Sequence, residues 1–508
     1  MPPAIPSRRA TFAAAVLLAI VGIVRIGSTW RVFSQTVDEP IHIAAGFQWL
    51  TGRYDLDVEH PPLARLFFGL DAYLEGAKPE MRQDRTAIGN ELLYRNDRER
   101  HNLAGARAGN LPFFLLALSI VFLWTRRIAG NSAALLATAF FTALPPILGH
   151  AGLATTDVPA AATIAAALYA FELWLDDRSW KRTLTLAIAV GAGLCGKFSF
   201  LMFFPMGALV LLAGRMFVAR TTFRGERARA LLQLVCAAAI GFFIVCVLYR
   251  FEARRLDELR LRAFPAGTIE HTAARYAQVP GYEWVRADLV ERYNRYATRA
   301  AELGKNGVDF VDWAKAAGYP SPLAGRNGNT LAGAPPLPPL SARDRLLEPF
   351  RRGMHLVELR VPIPAVPFFA GVRYVRYHFG AGHPAFLFGK RSLTGWWYYF
   401  PVVVFFKTPL PFLALAVRGL VLLLRRRHPV ALIPLAILGA SMTSRINIGV
   451  RHVLPLYPFL TIAAAVAAVA LWRRSRAVTA ILLAWYFIGT AIAHPNYLAW
   501  FNEAAGQH

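Results

Sequence analysis

The sequence contains little cysteine and little charge. Three cysteines among 508 residues cannot support a disulfide scaffold. Charged residues make up 17% and hydrophobic residues 56% of the chain, which excludes a disordered chain and an ordinary globular domain. No P-loop, G-x-S-x-G, C-x-x-C or H-E-x-x-H motif occurs, so ATP-driven transport, serine hydrolysis and zinc proteolysis lack support in the sequence. A membrane protein remains.

Apolar residues are gathered in long blocks. A bilayer core about 30 Å thick is crossed by a helix of about 20 largely apolar residues, and eleven blocks approach that length. We therefore predict an all-α polytopic membrane protein with about eleven transmembrane helices. The fifth and sixth blocks meet at Gly196-Lys197 and form either two spans or one long kinked helix. The eleven blocks are 10–29, 106–125, 132–150, 157–175, 183–196, 198–214, 230–250, 396–424, 429–444, 453–472 and 477–494.

Basic residues outnumber acidic ones, 56 to 31, for a formal net charge of +25. They lie in short clusters between apolar blocks rather than on one contiguous face, so we predict no nucleic-acid partner. One set of short loops holds 18 basic residues, whereas the opposite set holds only Lys197, Arg445 and Arg451. The positive-inside rule then places the N-terminus in the cytoplasm and the C-terminus outside, with the chain in a bacterial inner membrane.

The predicted spans divide the chain into three parts. Residues 1–250 form an N-terminal transmembrane module, and its first outer loop, 30–105, carries the candidate catalytic residues. Residues 251–395 form a periplasmic segment with a helical stretch around 284–303. Residues 396–508 form the C-terminal transmembrane helices. The long loops on the outer face are expected to be helical.

Three carboxylates lie where predicted spans meet the outer face. Asp38 and Glu39 follow the first span, and a carboxylate at this interface can accept a proton from an attacking hydroxyl. The alternative is that Asp38 only caps a helix over 39–50. Asp157 is a lone carboxylate in an otherwise nearly uncharged loop, where it is either functional or the cap of the following span.

A second motif in the first outer loop runs from Asp57 to Arg65. Its paired prolines break any helix and present Glu59, His60 and Arg65 close together. The Arg65 guanidinium could hold a phosphate as a forked donor. Glu59 with His60 could contribute to a metal site, although two adjacent ligands are weak evidence and the metal is unknown. The alternative is a solvated loop.

Later outer loops add polar and basic groups. Lys197 either neutralises a lipid phosphate or only extends its ammonium to the interface. The loop with Asn447, Arg451 and His452 contacts phosphate or sugar, or pairs with the acidic first loop. The aromatic band 395–401 is typical of an interfacial belt, with a polyprenyl-binding groove as the alternative.

These motifs together resemble the GT-C superfamily of membrane glycosyltransferases. The acidic pair after the first span, the H-P-P-L element and T-x-D-x-P are most similar to glycosyltransferase family 39, which includes protein O-mannosyltransferases and aminoarabinose transferases. The strings GWWYYFPVVVFFKTPLP, NIGVRHVLPLYPFL and HPNYLAWFNEAAG resemble bacterial, phospholipid carrier-dependent members.

The resemblance implies roles for individual residues. It makes Asp38 the catalytic base, with Glu39 beside it, and Asp157 the second acidic residue. Arg65 occupies the place of a lysine in the mannosyltransferases. In the aminoarabinose transferases the residue at Glu59 helps to bind a metal, and the residue at the next position is a phosphate-binding lysine. Here His60 replaces that lysine.

The sequence is therefore interpreted as a glycosyltransferase of the outer membrane face. It would transfer a sugar from a polyprenyl-phosphate donor to a hydroxyl of a protein, lipid or cell-envelope glycan, with inversion. Asp38 would be the base, and Arg65, Lys197 and Arg451 would stabilise the departing phosphate. The expected partners are the donor, membrane lipids and an acceptor, with a divalent metal as an optional cofactor. The alternatives are a transporter or flippase for an anionic lipid or solute, and an inactive scaffold.

Overall fold

The computed structural model divides the chain into two compact units. One contains residues 1–248 and 381–508, and the other contains residues 249–380. All candidate site residues belong to the first unit. The predicted helix around 284–303 lies outside the described residues. The structure describes residues 8–53, 57–80, 84–218, 227–254, 361–381, 383–392 and 394–506, together with 346, 349, 350 and 353.

The first helix leads into a loop that is helical, as predicted. Asp38 is the first residue of its helix and Val37 is the N-cap, without a side-chain cap, so the hypothesis that Asp38 caps the helix is wrong. A 3-10 turn follows α4. The helices are α1 Arg8–Gly27, α2 Asp38–Leu50, α3 Pro62–Leu74, α4 Arg85–Tyr94 and α5 Glu99–Ala108.

Glycines allow α2 to pack backbone to backbone against α3 and α4. A Cβ atom at Gly46 would lie 1.8 Å from the carbonyl oxygen of Arg65, and one at Gly89 would lie 2.0 Å from that of Pro40. Any larger side chain would separate these helices. The close packing brings the residues of the Asp57–Arg65 motif next to α2.

The next six helices correspond to the predicted second to seventh blocks. The second and third blocks are joined at Gly130, where φ is +81°. Lys197 adopts an extended conformation between α9 and α10, so the alternative of one kinked helix is wrong. A π-helical turn follows α10. The helices are α6 Leu111–Phe141, α7 Pro145–Ala151, α8 Asp157–Asp176, α9 Trp180–Gly196, α10 Phe200–Ala213 and α11 Arg227–Leu248.

The second unit and the start of the C-terminal region contain short antiparallel strands. In the second unit, β1 Ala253–Arg254 pairs with β2 Ile363–Pro364, and α12 Val366–Ala381 follows. In the first unit, β3 Ala385–Leu387 pairs with β4 Lys390–Ser392.

The predicted block 396–424 forms two helices rather than one span. Thr408 is extended because the following Pro409 disfavours helix at the preceding residue. At the break, the Asn502 side chain donates a hydrogen bond to the Thr408 carbonyl at 2.9 Å, and the hydroxyls of Thr408 and Tyr457 share a hydrogen bond at 2.9 Å. The C-terminal helices are α13 Tyr399–Lys407, α14 Leu410–Arg425, α15 Ile433–Met442, α16 Tyr457–Arg474 and α17 Arg476–Ile492. The 3-10 turns are Pro429–Leu432, Val450–Leu456 and Glu503–Ala505.

The membrane character of the chain agrees with its helices. Among the described residues, five helical regions are long and apolar enough to cross a bilayer, and three shorter apolar helices accompany them. The count of eleven spans therefore stays a prediction. The five regions are Arg9–Gly27, Glu99–Phe141, Asp157–Asp176, Arg227–Leu248 and Val450–Arg474.

Candidate active site

Four charged side chains predicted from separate motifs meet at one end of the helix bundle. Arg451 bridges two carboxylates, with its Nη2 atom 2.6 Å from Oδ2 of Asp38 and its Nε atom 3.5 Å from Oδ2 of Asp157. The Nζ atom of Lys197 lies 2.5 Å from Oδ1 of Asp157. We call these four residues the carboxylate–cation network.

Burial separates the two carboxylates of this network. The side chain of Asp157 is 1% exposed, and each of its oxygens faces a cation. The side chain of Asp38 is 32% exposed and contacts Arg451 through one oxygen. Thr156 is the N-cap of α8 and no side-chain cap forms, so the hypothesis that Asp157 caps α8 is wrong. The interpretation of Lys197 as a residue that only reaches towards the interface is wrong as well, because its ammonium is paired with Asp157.

Glu39 lies in a separate, fully buried ion pair. Its carboxylate accepts two hydrogen bonds from Arg107, at 2.7 and 2.9 Å. The backbone N–H groups of Thr36 and Ala154 donate to it at 2.8 and 2.9 Å. The remaining Arg107 hydrogens bind the carbonyls of Trp30, Phe33 and Ser34. The pair thereby fixes the chain on both sides of Asp38.

The Asp57–Arg65 motif forms a second network. Asp57 accepts from Arg65 at 2.6 Å and from Arg85 at 3.0 Å. Arg65 also donates to the carbonyl of His60. Its terminal nitrogens are therefore engaged within the motif, and Arg65 does not belong to the carboxylate–cation network. Glu59 pairs with Arg85 at 2.9 Å. The motif is a structured ion-pair cluster rather than a solvated loop.

Electrostatics around Asp57 favour a charged carboxylate at Asp57 and a neutral imidazole at His42. Burial alone would raise the pKa of Asp57, but Arg65, His60 and Arg85 outweigh it and hold that pKa well below its usual range. His42 lies one helical turn after Asp38. Burial, followed by the charges of His60 and Arg65, lowers the pKa of His42 well below its usual value.

The two other predicted residues of the 445–452 loop have structural contacts. Oδ1 of Asn447 accepts a hydrogen bond from the Trp396 N–H at 2.7 Å, which ties this loop to the aromatic band. Gly395 leaves space for it, because a Cβ atom there would lie 2.1 Å from that oxygen, and its φ is +68°. His452 stacks on Phe400 with ring centroids 5.2 Å apart.

Arg107, Asp57, Arg85 and His42 were not among the predicted site residues. Arg107 is a single arginine at the start of an apolar block, and that position was the available signal, because a buried charge needs a partner. Asp57 and His42 belong to motifs that the sequence indicates, but the predicted roles in those motifs fall on neighbouring residues. Arg85 lies 20 residues after Arg65, and no local pattern connects it with Asp57.

The loops predicted to be cytoplasmic meet at the opposite ends of α8 and α9. Asp176 pairs with Arg127 and, at 2.5 Å, with Arg215. Gln233 donates to the carbonyl of Arg178 at 2.7 Å.

Comparisons with known proteins bear on the fold and the family. Residues 15–250 match the family model "Dolichyl-phosphate-mannose-protein mannosyltransferase". The resemblance to GT-C glycosyltransferases is confirmed. No curated protein matches the chain.

One solved structure supports the GT-C fold, and two others are reported for comparison. The chain is similar to ArnT from Cupriavidus metallidurans bound to undecaprenyl phosphate, with a TM-score of 0.50 and 15% identity, over 94% of this chain and 64% of that one. It thus spans less than two thirds of that protein. AglB from Archaeoglobus fulgidus, in complex with an inhibitory peptide and a dolichol-phosphate, gives 0.44 and 14%, over 93% and 52%. The S. cerevisiae Pmt1-Pmt2 protein O-mannosyltransferase bound to its sugar donor gives 0.34 and 18%, over 47% and 33%.

Proposed function

We propose that the protein transfers a sugar from a polyprenyl-phosphate donor to a hydroxyl acceptor. The observation that carries the proposal is the carboxylate–cation network at one end of a GT-C fold. In this network the accessible carboxylate of Asp38 contacts Arg451, and Asp157 joins Arg451 to Lys197. The undecaprenyl phosphate bound to the similar ArnT structure supports a donor of this class. The acceptor is a protein, lipid or cell-envelope glycan.

In the proposed reaction Asp38 removes the proton from the acceptor hydroxyl. The acceptor oxygen attacks the anomeric carbon as the bond from that carbon to the phosphate oxygen breaks, and the polyprenyl phosphate leaves with the bonding electrons. One displacement inverts the anomeric centre. Positioning and electrostatic stabilisation of the leaving phosphate provide the rest of the catalysis.

We assign the two cations of the carboxylate–cation network to the leaving phosphate. Arg451 and Lys197 can each donate charge-assisted hydrogen bonds to phosphate oxygens. Asp157 holds both cations and is a positioning residue, because it is buried and its oxygens are occupied. Glu39 positions Asp38 through Arg107, and Arg65 positions the neighbouring motif through Asp57.

The position of the charges also bears on the transporter alternative. A transporter would be expected to carry ionisable residues near the middle of several spans. In the network, Asp38 and Asp157 begin helices, Lys197 follows one, and Arg451 lies in a 3-10 turn. Helix-end placement therefore favours the transferase.

Purified full-length protein is expected to release polyprenyl phosphate from a labelled polyprenyl-phosphate sugar in the presence of acceptor lysate. Arg451→Gln should slow this reaction about 10–150-fold at limiting donor, because a hydrogen bond to a charged group contributes about 1.5–3 kcal/mol. Arg445→Gln is the matched control, since Arg445 is exposed in the same loop. Absence of turnover with every polyprenyl-phosphate sugar tested would reject the transferase, and equal rates for both variants would reject the phosphate role.

We further propose that this site faces the periplasm of a bacterial inner membrane and that the N-terminus is cytoplasmic. The charge asymmetry of the short loops supports this orientation. The three-part division into 1–250, 251–395 and 396–508 is part of the same proposal.

Cysteine labelling should find Ser392→Cys accessible to an impermeant maleimide from outside the cell. The background would lack Cys195, Cys236 and Cys246. Asp177→Cys, at an exposed position of the opposite end, should react only after the membrane is opened. The reverse pattern would overturn the orientation.

A further inference from the structure

A group of three possible metal ligands lies beside the carboxylate–cation network. His42, Asp57 and His60 each offer one ligand atom, and these atoms lie within 4.8 Å of one another. The two imidazole rings meet edge to face with centroids 4.8 Å apart. His42 comes from α2, while Asp57 and His60 come from the turn before α3. The resemblance suggested Glu59 as a metal ligand, but Glu59 is paired with Arg85 and is not in this group.

The histidines of this group have nitrogen atoms with nothing to bind in the described part of the chain. Nδ1 of His42 and Nδ1 of His60 are both buried and lack a hydrogen-bond partner there. Nδ1 of His60 is 3.8 Å from Oδ2 of Asp57, which is too long for a hydrogen bond. The His42 residue is 2% exposed. A buried polar atom without a partner is costly, and a cation bound between the two histidines and Asp57 would give these rings a partner.

We propose that His42, Asp57 and His60 bind one divalent transition-metal ion of the Zn²⁺ class. Two imidazoles and one carboxylate form a ligand set that Zn²⁺ uses with an open fourth position. Mg²⁺ and Ca²⁺ prefer all-oxygen sites and are disfavoured by the histidines. The site lies one helical turn from Asp38, so an ion there would fix α2 to the Asp57–Arg65 motif next to the proposed base.

The geometry is close to that of a formed site. Metal–ligand bonds of about 2.0–2.1 Å in a tetrahedron separate ligand atoms by about 3.4 Å. The separations of up to 4.8 Å therefore require side-chain movements of roughly 1 Å, well within the range of a small χ rotation. The paired prolines 61–62 hold the turn that carries two of the ligands.

The arginines around Asp57 act as outer partners of the ligand. Arg65 donates to Oδ2 of Asp57, whereas Arg85 and the Glu59 N–H both donate to Oδ1. Oδ2 therefore retains a second lone pair for a metal. Hydrogen-bonded outer partners orient metal-binding carboxylates in many sites. Glu59 offsets part of the positive charge, because it is paired with Arg85.

The test measures metal binding without turnover, so it is separate from the test of the transferase. Purified full-length protein is freed of metal with a chelator, dialysed and titrated with Co²⁺ and Zn²⁺. The wild type should bind one equivalent with the visible absorption of four-coordinate Co²⁺ and should gain thermal stability with Zn²⁺. His42→Ala and His60→Ala should each lose the absorption and the stabilisation. His101→Ala is the matched control, because His101 is a more exposed histidine of the same outer loop.

Two results would overturn the proposal. Binding of less than about 0.1 equivalent of either ion by the wild-type protein would contradict the metal site directly. Equal binding by the His42→Ala, His101→Ala and wild-type proteins would show that the metal binds elsewhere. Should His42→Ala fail to fold, the Co²⁺ spectrum of the wild type still decides, since a six-coordinate spectrum without imidazole ligation would contradict the site.

Discussion

Asp38→Asn is expected to reduce sugar transfer about 10²–10⁴-fold, which is the usual contribution of a general base. Asparagine has nearly the same size and still offers an oxygen to Arg451, but it cannot take the acceptor proton. Asp38 is not a helix cap and is about one third exposed, so folding and membrane insertion should be retained. The measurement is kcat and donor KM with a labelled polyprenyl-phosphate sugar.

The distribution of the loss identifies the role of Asp38. A base contributes in the transition state, so kcat should fall while donor KM changes little. If Asp38 only orients Arg451, donor KM should rise instead. Asp177→Asn is the matched control, because its carboxylate is exposed at the opposite end of the bundle. An Asp38→Asn enzyme with most of its turnover would exclude Asp38 as the base.

Lys197→Met alone should both destabilise the protein and abolish most donor use. It leaves the buried Asp157 carboxylate with only the 3.5 Å contact to Arg451, and breaking one side of a buried ion pair costs about 3–5 kcal/mol. The ion pair with Asp157 therefore makes an apolar residue at position 197 destabilising. Thermal midpoints in detergent and initial rates at limiting donor measure the two effects.

The double variant Lys197→Met/Asp157→Asn separates folding from phosphate binding. Neutralising both partners removes the unpaired charge, so most of the lost stability should return. The rate should stay low, because no ammonium is left to stabilise the leaving phosphate. Recovery of both stability and rate would mean that Lys197 serves only the fold. Lys181→Met is the matched control, since Lys181 is exposed at the other end of the same helix.

Much of the helical framework could be predicted from the sequence. Apolar length and the basic loops locate the helices, because both reflect the solvent that each segment faces. The prediction of one span over 396–424 is wrong, because Pro409 interrupts the helix although the apolar composition continues. Length alone could not reveal that break, whereas the backbone restriction before a proline could have done so.

Asp38, Asp157, Lys197 and Arg451 were each recognisable as unexpected charges at those ends of apolar blocks that the sequence predicts to face outside. The sequence by itself determined this shared position, because a charge next to a membrane span needs a reason to be there. Only the tertiary structure decided which charges touch. Asp157 binds both cations, whereas Asp38 remains accessible. The neighbouring Glu39 forms a buried ion pair with Arg107, which lies 68 residues away in the sequence. Adjacent carboxylates acquire different roles because ion pairs and burial depend on helix packing, which local sequence does not specify.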